Sequence, residues 1–146
     1  MKFWDKLKKT FYNAMRSGKS PHALALAFCV GIYVAFSPFP MAHAVMMVIF
    51  SWLWGLNFPI MFIAASINNP WTFIPFYSLD YAFGFWFVHN LLGLEPTWVI
   101  SLVKIFGCGK ICLWSFLIGG NVLGIAAGLI CYPIAYYFFK KFIKSA

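Results

Sequence analysis

Residues 31–40 read Gly-Ile-Tyr-Val-Ala-Phe-Ser-Pro-Phe-Pro, and the two prolines end the apolar stretch 22–36. Proline has no amide donor and restricts the residue before it, so a helix over 22–36 ends here. Such a helix rises only about 22 Å, less than the roughly 30 Å of a bilayer's hydrocarbon core. A second apolar stretch, 41–56, follows the prolines. We therefore expect a re-entrant hairpin with its Ser-Pro-Phe-Pro tip inside a membrane.

The residues around this break are almost free of charge. No Lys, Arg, Asp or Glu occurs from Ser20 to Leu79, and Asp80 alone interrupts a run that continues to Leu94. The whole chain is 63% hydrophobic and 10% charged, which leaves too little polar surface for a soluble globule. Because a charge at the bilayer centre is costly, such runs predict contact with lipid hydrocarbon. The sequence predicts an all-α membrane protein with short and broken transmembrane or re-entrant helices.

A second break lies at Asn68-Asn69-Pro70. The apolar residues 59–68 before it are too few to span a bilayer, and residues 71–92 continue the apolar run after it. The two proline-containing breaks hint at a degenerate internal repeat, and paired interrupted segments are typical of transporter binding sites. The alternative is that the prolines only shape short helices in a compact bundle. Residues 20–94 are thus predicted to form a broken-helix membrane core.

Backbone groups freed at these breaks need partners, because lipid offers none. The starts of the short helices are expected to offer free amides to a phosphate. Asp80 is an acid inside an apolar run, which indicates an ion, proton or head-group site, with His43 or His89 as the partner of Asp80. The alternative places Asp80 near the far interface, where water solvates it. The predicted ligand-binding residues are Ser37, His43, Asn68, Asn69, Thr72 and Asp80.

Both ends of the chain are basic. Residues 1–19 are predicted to form an amphipathic helix on the membrane surface, because apolar residues recur there at helical spacing among basic ones. A basic tail after an aromatic cluster repeats the theme at the C-terminus. The positive-inside rule then places both ends in the cytoplasm of a bacterial inner membrane, with an even number of crossings. The predicted surface residues are Trp4, Lys6, Lys8, Lys9, Arg16, Lys19, Lys140, Lys141 and Lys144.

The net charge of +8 points to anionic lipid rather than nucleic acid, since the basic residues flank apolar spans. Residues 95–110 are predicted to be interfacial, and residues 111–146 to form a C-terminal transmembrane helix with a basic tail. We expect this helix to pack against the first membrane segment through small residues, with homodimerisation as the alternative. The small residues are Ala23, Ala27, Gly31 and Ala35, and Gly120, Gly124 and Gly128. No metal site or other cofactor is predicted.

Three segments resemble a known family: Gly31–Pro40, Leu56-Asn57-Phe58-Pro59, and Asn69-Pro70-Trp71-Thr72-Phe73-Ile74-Pro75-Phe76-Tyr77 followed by Gly84. They resemble the bacterial membrane proteins grouped as the domain of unknown function numbered 2062, over roughly residues 20–93. Phe36 stands where similar proteins tend to carry a glycine before the first proline. The resemblance implies an integral membrane protein without established chemistry. Because such domains can accompany glycosyltransferases, it also hints at lipid-linked sugars.

Three classes of function fit these features. The first, which explains the most, is a transporter or scramblase of an anionic lipid such as a polyprenyl phosphate, with the broken helices forming a polar groove. The second is a small-solute or ion transporter, in which Asp80 is coupled to conduction or exchange. The third is a scaffold that holds a partner membrane enzyme through the glycine stripe and the N-terminal helix. No catalytic triad, phosphate loop or carboxylate pair occurs, so we do not expect an enzyme.

Overall fold

In the computed structural model, the described residues are 5–6, 9, 13, 20–37, 39, 42–95, 99–101 and 110–145. Most of the predicted surface helix 1–19 lies outside them. Within it, Lys6 and Lys9 are helical and exposed, whereas the surface residues outside the described part are Trp4, Lys8, Arg16 and Lys19. The two prolines of the first break and most of the predicted interfacial segment 95–110 also lie outside.

Five α-helices make up the described fold: α1 (Pro21–Ala35), α2 (His43–Trp54), α3 (Phe58–Ala65), α4 (Phe73–Trp86) and α5 (Leu113–Ser145). A single π-helical turn continues α4 through Leu91. Before α5, strand β1 (Val99–Ser101) pairs antiparallel with β2 (Lys110–Cys112). Apart from this ladder, the regular secondary structure of the described part is helical, in agreement with the all-α part of the predicted class. The last helix begins at Leu113 instead of residue 111, because the residues before it pair with β1.

Side-chain caps set the starts of two helices. Ser20 Oγ accepts the N–H of Ala23 at 3.2 Å at the start of α1, and Asn57 Oδ1 accepts the N–H of Ile60 at 3.3 Å at the start of α3. Each of these helices has a proline in its first turn, where the missing amide is not needed. At the other end of α2, Gly55 adopts the left-handed conformation, with φ of 59°, that commonly terminates helices.

The helix α1 lies along the C-terminal half of α5 and runs antiparallel to it. Gly124 of α5 faces Tyr33, whereas Gly128, further along α5, faces Cys29, which comes earlier in α1. A Cβ added at Gly124 would lie 3.0 Å from the Tyr33 ring, so the glycine permits this close approach. The predicted face of Gly124 and Gly128 is therefore occupied by α1 of the same chain, and Gly120 beside it is buried.

The helix α4 lies along the N-terminal half of α5, and it too runs antiparallel. Gly84 of α4 lies against Ser115, and the earlier residue Asp80 lies against Gly119. The end of α1 meets the start of α4 through the Phe36 and Phe76 rings, whose centroids are 5.0 Å apart. Helix α1 has 15 residues, and α4 has 14 followed by five in the π turn. Their combined length is therefore close to that of α5, which has 33 residues.

Gly31 faces α3 and not α5. A Cβ added there would lie 2.4 Å from the Met61 carbonyl oxygen, so only a glycine permits this contact. Of the other small residues in α1, Ala27 and Ala35 are buried and Ala23 is half-buried. The core between α1 and its neighbours is formed by buried aliphatic and aromatic side chains: Leu24, Val34, Met47, Ile60, Met61, Ala135 and Phe139.

Within the described part of the chain, one helix is long and apolar enough to cross a membrane: α5, over Leu113–Lys144. Only 28% of its most apolar window is buried, whereas the core helix of a soluble protein is mostly buried. The helices α1 and α2 are apolar but shorter. Large apolar side chains are exposed elsewhere too, including Trp52 at 82% and Trp71 at 91%. Lys140, Lys141 and Lys144 are exposed in the last turns of α5.

The contact between α4 and α5 yields a test. Gly84→Ala is expected to lower the free energy of unfolding by about 1–3 kcal/mol, the usual cost of overpacking. The reason is that the added Cβ would lie 1.7 Å from the Ser115 carbonyl oxygen. Gly128→Ala is the matched control, because its Cβ would lie 3.4 Å from the Cys29 carbonyl oxygen, an ordinary contact. Denaturant unfolding in mixed micelles, followed by circular dichroism, measures both; equal stabilities would contradict the tight contact.

Candidate functional site

The end of α1 is closed by side chains from three other parts of the chain. A helix leaves its last carbonyls without partners inside the helix. Asn68 Nδ2 donates to the Ala35 carbonyl oxygen at 2.6 Å. The Ser37 carbonyl oxygen accepts from His43 Nε2 at 3.0 Å and from the Tyr77 hydroxyl at 3.4 Å. We call Ser37, His43, Asn68 and Tyr77 the break cluster, because they surround the break after α1.

A second polar contact joins α1 to α5 next to the break cluster. The Tyr33 hydroxyl donates to Asn121 Oδ1 at 2.6 Å, and Asn121 Nδ2 donates to the Leu117 carbonyl oxygen at 2.8 Å. Asn121 lies eight residues after the start of α5, about 12 Å along its axis. The break after α1 therefore lies beside the apolar run of α5 and away from both of its ends.

The break cluster opens onto a groove of about 320 Å³. His43 and Asn68 belong to both, so the groove has a polar side next to the end of α1. Its remaining lining is partly apolar, from α2 and α3, and partly polar, from the turn after α3: Ala44, Met47, Phe62, Ala65, Ser66, Asn69 and Pro70. Polar side chains thus line a recess in a surface that is otherwise largely apolar.

Asn69 and Thr72 mainly shape the turn that starts α4. Asn69 Oδ1 accepts the N–H groups of Trp71 and Thr72 at 2.9 and 3.1 Å. Thr72 Oγ1 in turn accepts the N–H of Asn69 at 2.9 Å and donates to the Ile67 carbonyl oxygen at 2.6 Å. The amides at this start are bonded within the turn, and α1 and α3 have side-chain caps as well. The interpretation that helix starts offer free amides to a phosphate is therefore not supported at these bonded groups.

Asp80 lies apart from the groove, at the contact between α4 and α5. Its side chain is fully buried, at 0% exposure, and is therefore not the solvated residue of the alternative prediction. Neither carboxyl oxygen has a hydrogen-bond partner among the residues that the structure describes. His89, which the sequence offered as a partner, instead approaches Ser115 Oγ at 3.4 Å and the Leu94 carbonyl oxygen at 2.7 Å.

Sequence reasoning missed three polar residues that the structure places at or beside the break: Tyr33, Tyr77 and Asn121. Both tyrosines lie in aromatic-rich apolar stretches, where their rings predict core packing and their hydroxyls give no separate signal. Asn121 carries the clearest signal. It is the single amide side chain in the uncharged run 111–139, and an amide there requires a partner.

The closure of α1 yields a test of stability. Asn68→Ala is expected to lower the free energy of unfolding by about 1–3 kcal/mol, because it leaves the Ala35 carbonyl without this donor. Ser66→Ala is the control, since the Phe62 carbonyl that its hydroxyl contacts keeps the Ser66 N–H at 3.0 Å. Both variants are measured by denaturant unfolding in mixed micelles. A loss that is no greater for Asn68→Ala than for Ser66→Ala would show that the contact at Ala35 does not hold the break.

Comparison with known proteins agrees with the resemblance noted in the sequence. No curated protein and no solved structure matches the chain. The profile of one family, described as an uncharacterized protein conserved in bacteria (DUF2062), matches residues 5–146, well beyond the segments that carried the resemblance. The match includes α1 to α5 and the break cluster. The chain therefore belongs to this family, the uncharacterized bacterial proteins of DUF2062.

Proposed function

We propose that this protein is a multi-pass protein of the bacterial inner membrane that moves lipid across the bilayer, as a transporter or scramblase of an anionic lipid. The observation that carries the proposal is the groove beside the break cluster. It puts polar side chains next to the middle of an apolar bundle, where a lipid headgroup meets its highest barrier. The proposed cargo class is a lipid with a phosphate headgroup, such as a polyprenyl phosphate.

The antiparallel arrangement supports two crossings with both termini in the cytoplasm. Because α1 and α4 lie end to end beside α5, they make a broken second crossing next to a continuous one. The start of α1 reaches the C-terminal half of α5, where His22 bonds to Tyr132. Lys140 and Lys141 follow about two turns later on α5, and the basic residues before Ser20 precede α1 in the chain. The positive-inside rule assigns such an end to the cytoplasm.

The groove suits a headgroup through its side chains more than through backbone amides. Asn68 and Asn69 bring amide groups to the groove, whose N–H bonds are donors that a phosphate oxygen accepts, and His43 adds a polar ring beside them. No Lys or Arg occurs from Ser20 to Leu79, so the groove has no fixed positive charge of its own from this segment. The preference for anionic lipid is instead attributed to the basic terminal segments, which raise the local concentration of such lipids.

A scaffold for a partner membrane enzyme is the second candidate. The observation that favours it is the outer face of α2, where Val45, Val48 and Trp52 are exposed. Gly124, which belongs to the glycine stripe of the scaffold hypothesis, packs against α1 of the same chain, so we place the partner on the outer face of α2. A homodimer through the glycine stripe would have to replace α1, which occupies the face of Gly124 and Gly128. A small-solute or ion transporter would use the groove without needing the exposed apolar surface, so it explains less.

Lipid scrambling in liposomes tests the proposal. The purified protein is reconstituted with a fluorescent polyprenyl phosphate or a fluorescent zwitterionic phospholipid, and the fraction of label reached by a membrane-impermeant quencher is followed in time. We expect faster movement than in protein-free liposomes, and faster movement of the anionic lipid. Ala44→Trp fills the groove and is expected to slow the movement by about tenfold, which corresponds to about 1.4 kcal/mol in barrier height.

Ala126→Trp is the matched control. Ala126 is exposed on α5, away from the groove, so the same added ring is expected to leave the rate unchanged. Circular dichroism establishes that both variants are folded. Folded wild-type protein that moves neither lipid faster than protein-free liposomes would refute the proposal and favour the scaffold. Equal slowing by the two tryptophans would mean that the groove is not the path.

A further inference from the structure

The surroundings of Asp80 are among the most tightly packed in the described fold. A Cβ added at Gly119 would lie 1.9 Å from the Asp80 carbonyl oxygen, and one at Gly84 would lie 1.7 Å from the Ser115 carbonyl oxygen. Backbones this close leave no room for water between the helices. Asp80 and Ser115 are both fully buried, at 0% exposure. The carboxyl group of Asp80 is therefore enclosed where α4 and α5 touch.

An ionised carboxylate is not compensated in this place. Burial of an unpaired charge costs far more than burial of the neutral acid, and neither oxygen of Asp80 has a partner among the described residues. Along residues 113–130, α5 carries no ionisable side chain at all. Two arrangements are therefore favourable. When Asp80 is neutral, α4 packs tightly against α5; when Asp80 is ionised, the packing of α4 against α5 is looser.

The other titratable groups of α4, the π turn and the break cluster have partners of their own. Tyr77, one turn earlier on α4, donates to the Ser37 carbonyl oxygen, as does His43 from α2. The Tyr81 hydroxyl accepts the N–H of Cys112 at 3.5 Å. From the π turn, His89 approaches Ser115 and the Leu94 carbonyl. Each of these groups thus has a partner other than the carboxyl group of Asp80.

We propose that Asp80 is a proton-binding site whose occupancy sets the packing of α4 against α5. In the step, an O–H bond of a hydronium ion breaks and one O–H bond of the carboxylic acid forms, which leaves a water molecule; release of the proton to water reverses the step. The neutral acid fits the closed contact at Gly84 and Gly119, whereas the ionised acid requires α4 to separate from α5 so that water reaches it. Proton binding stands by itself; its effect on lipid movement rests on the function proposed above.

The link to the groove runs through α4. This helix begins at Phe73, three residues after Pro70, which lines the groove together with Asn69, and Asp80 lies seven residues after Phe73, about 10 Å along the axis. A displacement of α4 at Asp80 therefore also moves the wall of the groove. The ligand of Asp80 is thus a proton, and its binding couples lipid movement to pH.

Infrared spectroscopy of the full-length protein in lipid tests proton binding without any transport assay. The chain has three acidic side chains, Asp5, Asp80 and Glu95, and the other two are exposed. At about pH 7 an exposed carboxylic acid is ionised, so the carbonyl stretch of a neutral acid is expected from Asp80 alone. The band is expected to vanish in Asp80→Asn and to persist in Asp5→Asn and Glu95→Gln.

A wild-type spectrum without this band at about pH 7 would overturn the proposal, as would a band that Glu95→Gln or Asp5→Asn removes. The wild type with these two control variants decides the assignment even where Asp80→Asn fails to fold. Lipid movement gives the second readout. The wild-type rate is expected to change by up to about tenfold per pH unit where the band titrates, the limit for one proton, and Asp80→Asn is expected to abolish this dependence.

The two readouts separate the two proposals. The neutral-acid band without lipid movement in any liposome would retain the proton site and refute the proposed function. Lipid movement that is indifferent to pH, in a protein without the band, would retain the function and refute the proton site. The band together with lipid movement that Asp80→Asn leaves equally sensitive to pH would refute the coupling.

Discussion

The carbonyl groups at the end of α1 impose the constraint on which the rest of the fold depends. The sequence stops this helix at two prolines beside the apolar run of α5; in the bilayer of the proposed function, lipid provides no hydrogen bonds at this place. Partners therefore have to come from the protein. They arrive from the start of α2, from the turn after α3 and from α4, through His43, Asn68 and Tyr77. The need to satisfy two carbonyls thus brings four segments to one point, and the groove forms where they meet.

The uninterrupted helix α5 supplies the frame for this convergence. Helices in lipid gain little from burying apolar side chains against each other, so close backbone contact matters more. Gly124 and Gly128 provide it towards α1, and Gly119 provides it towards α4. The glycines of α5 therefore serve two partners, on different sides of the helix and along successive parts of its length. A broken pair of helices beside a continuous helix follows directly from this arrangement.

The sequence predicted the break because prolines act locally. Ser37-Pro38-Phe39-Pro40 ends α1 whatever surrounds it, and the polar residues Ser37, His43 and Asn68 were identified because apolar surroundings make such side chains conspicuous. Tyr77 and Asn121 were not identified, because their partners lie 40 and 88 residues away in the chain, and the sequence does not show which helices meet. The contact of Gly84 with α5 was missed for the same reason. The strand before α5 was also missed, because a two-stranded ladder of three residues per strand leaves no clear pattern.

Asp80 and the groove are separate in space but are connected by one rigid element, the helix α4. Helix α4 starts at the groove and passes Asp80 two turns later, and helices transmit displacement because their backbone hydrogen bonds keep them stiff. The glycine contacts on either side of Asp80 make a gradual separation of α4 from α5 unfavourable, since close packing is lost as soon as the backbones move apart. A helix held in this way favours two arrangements over a continuum. An acid enclosed at the contact then biases the choice between them, and the wall of the groove moves with it.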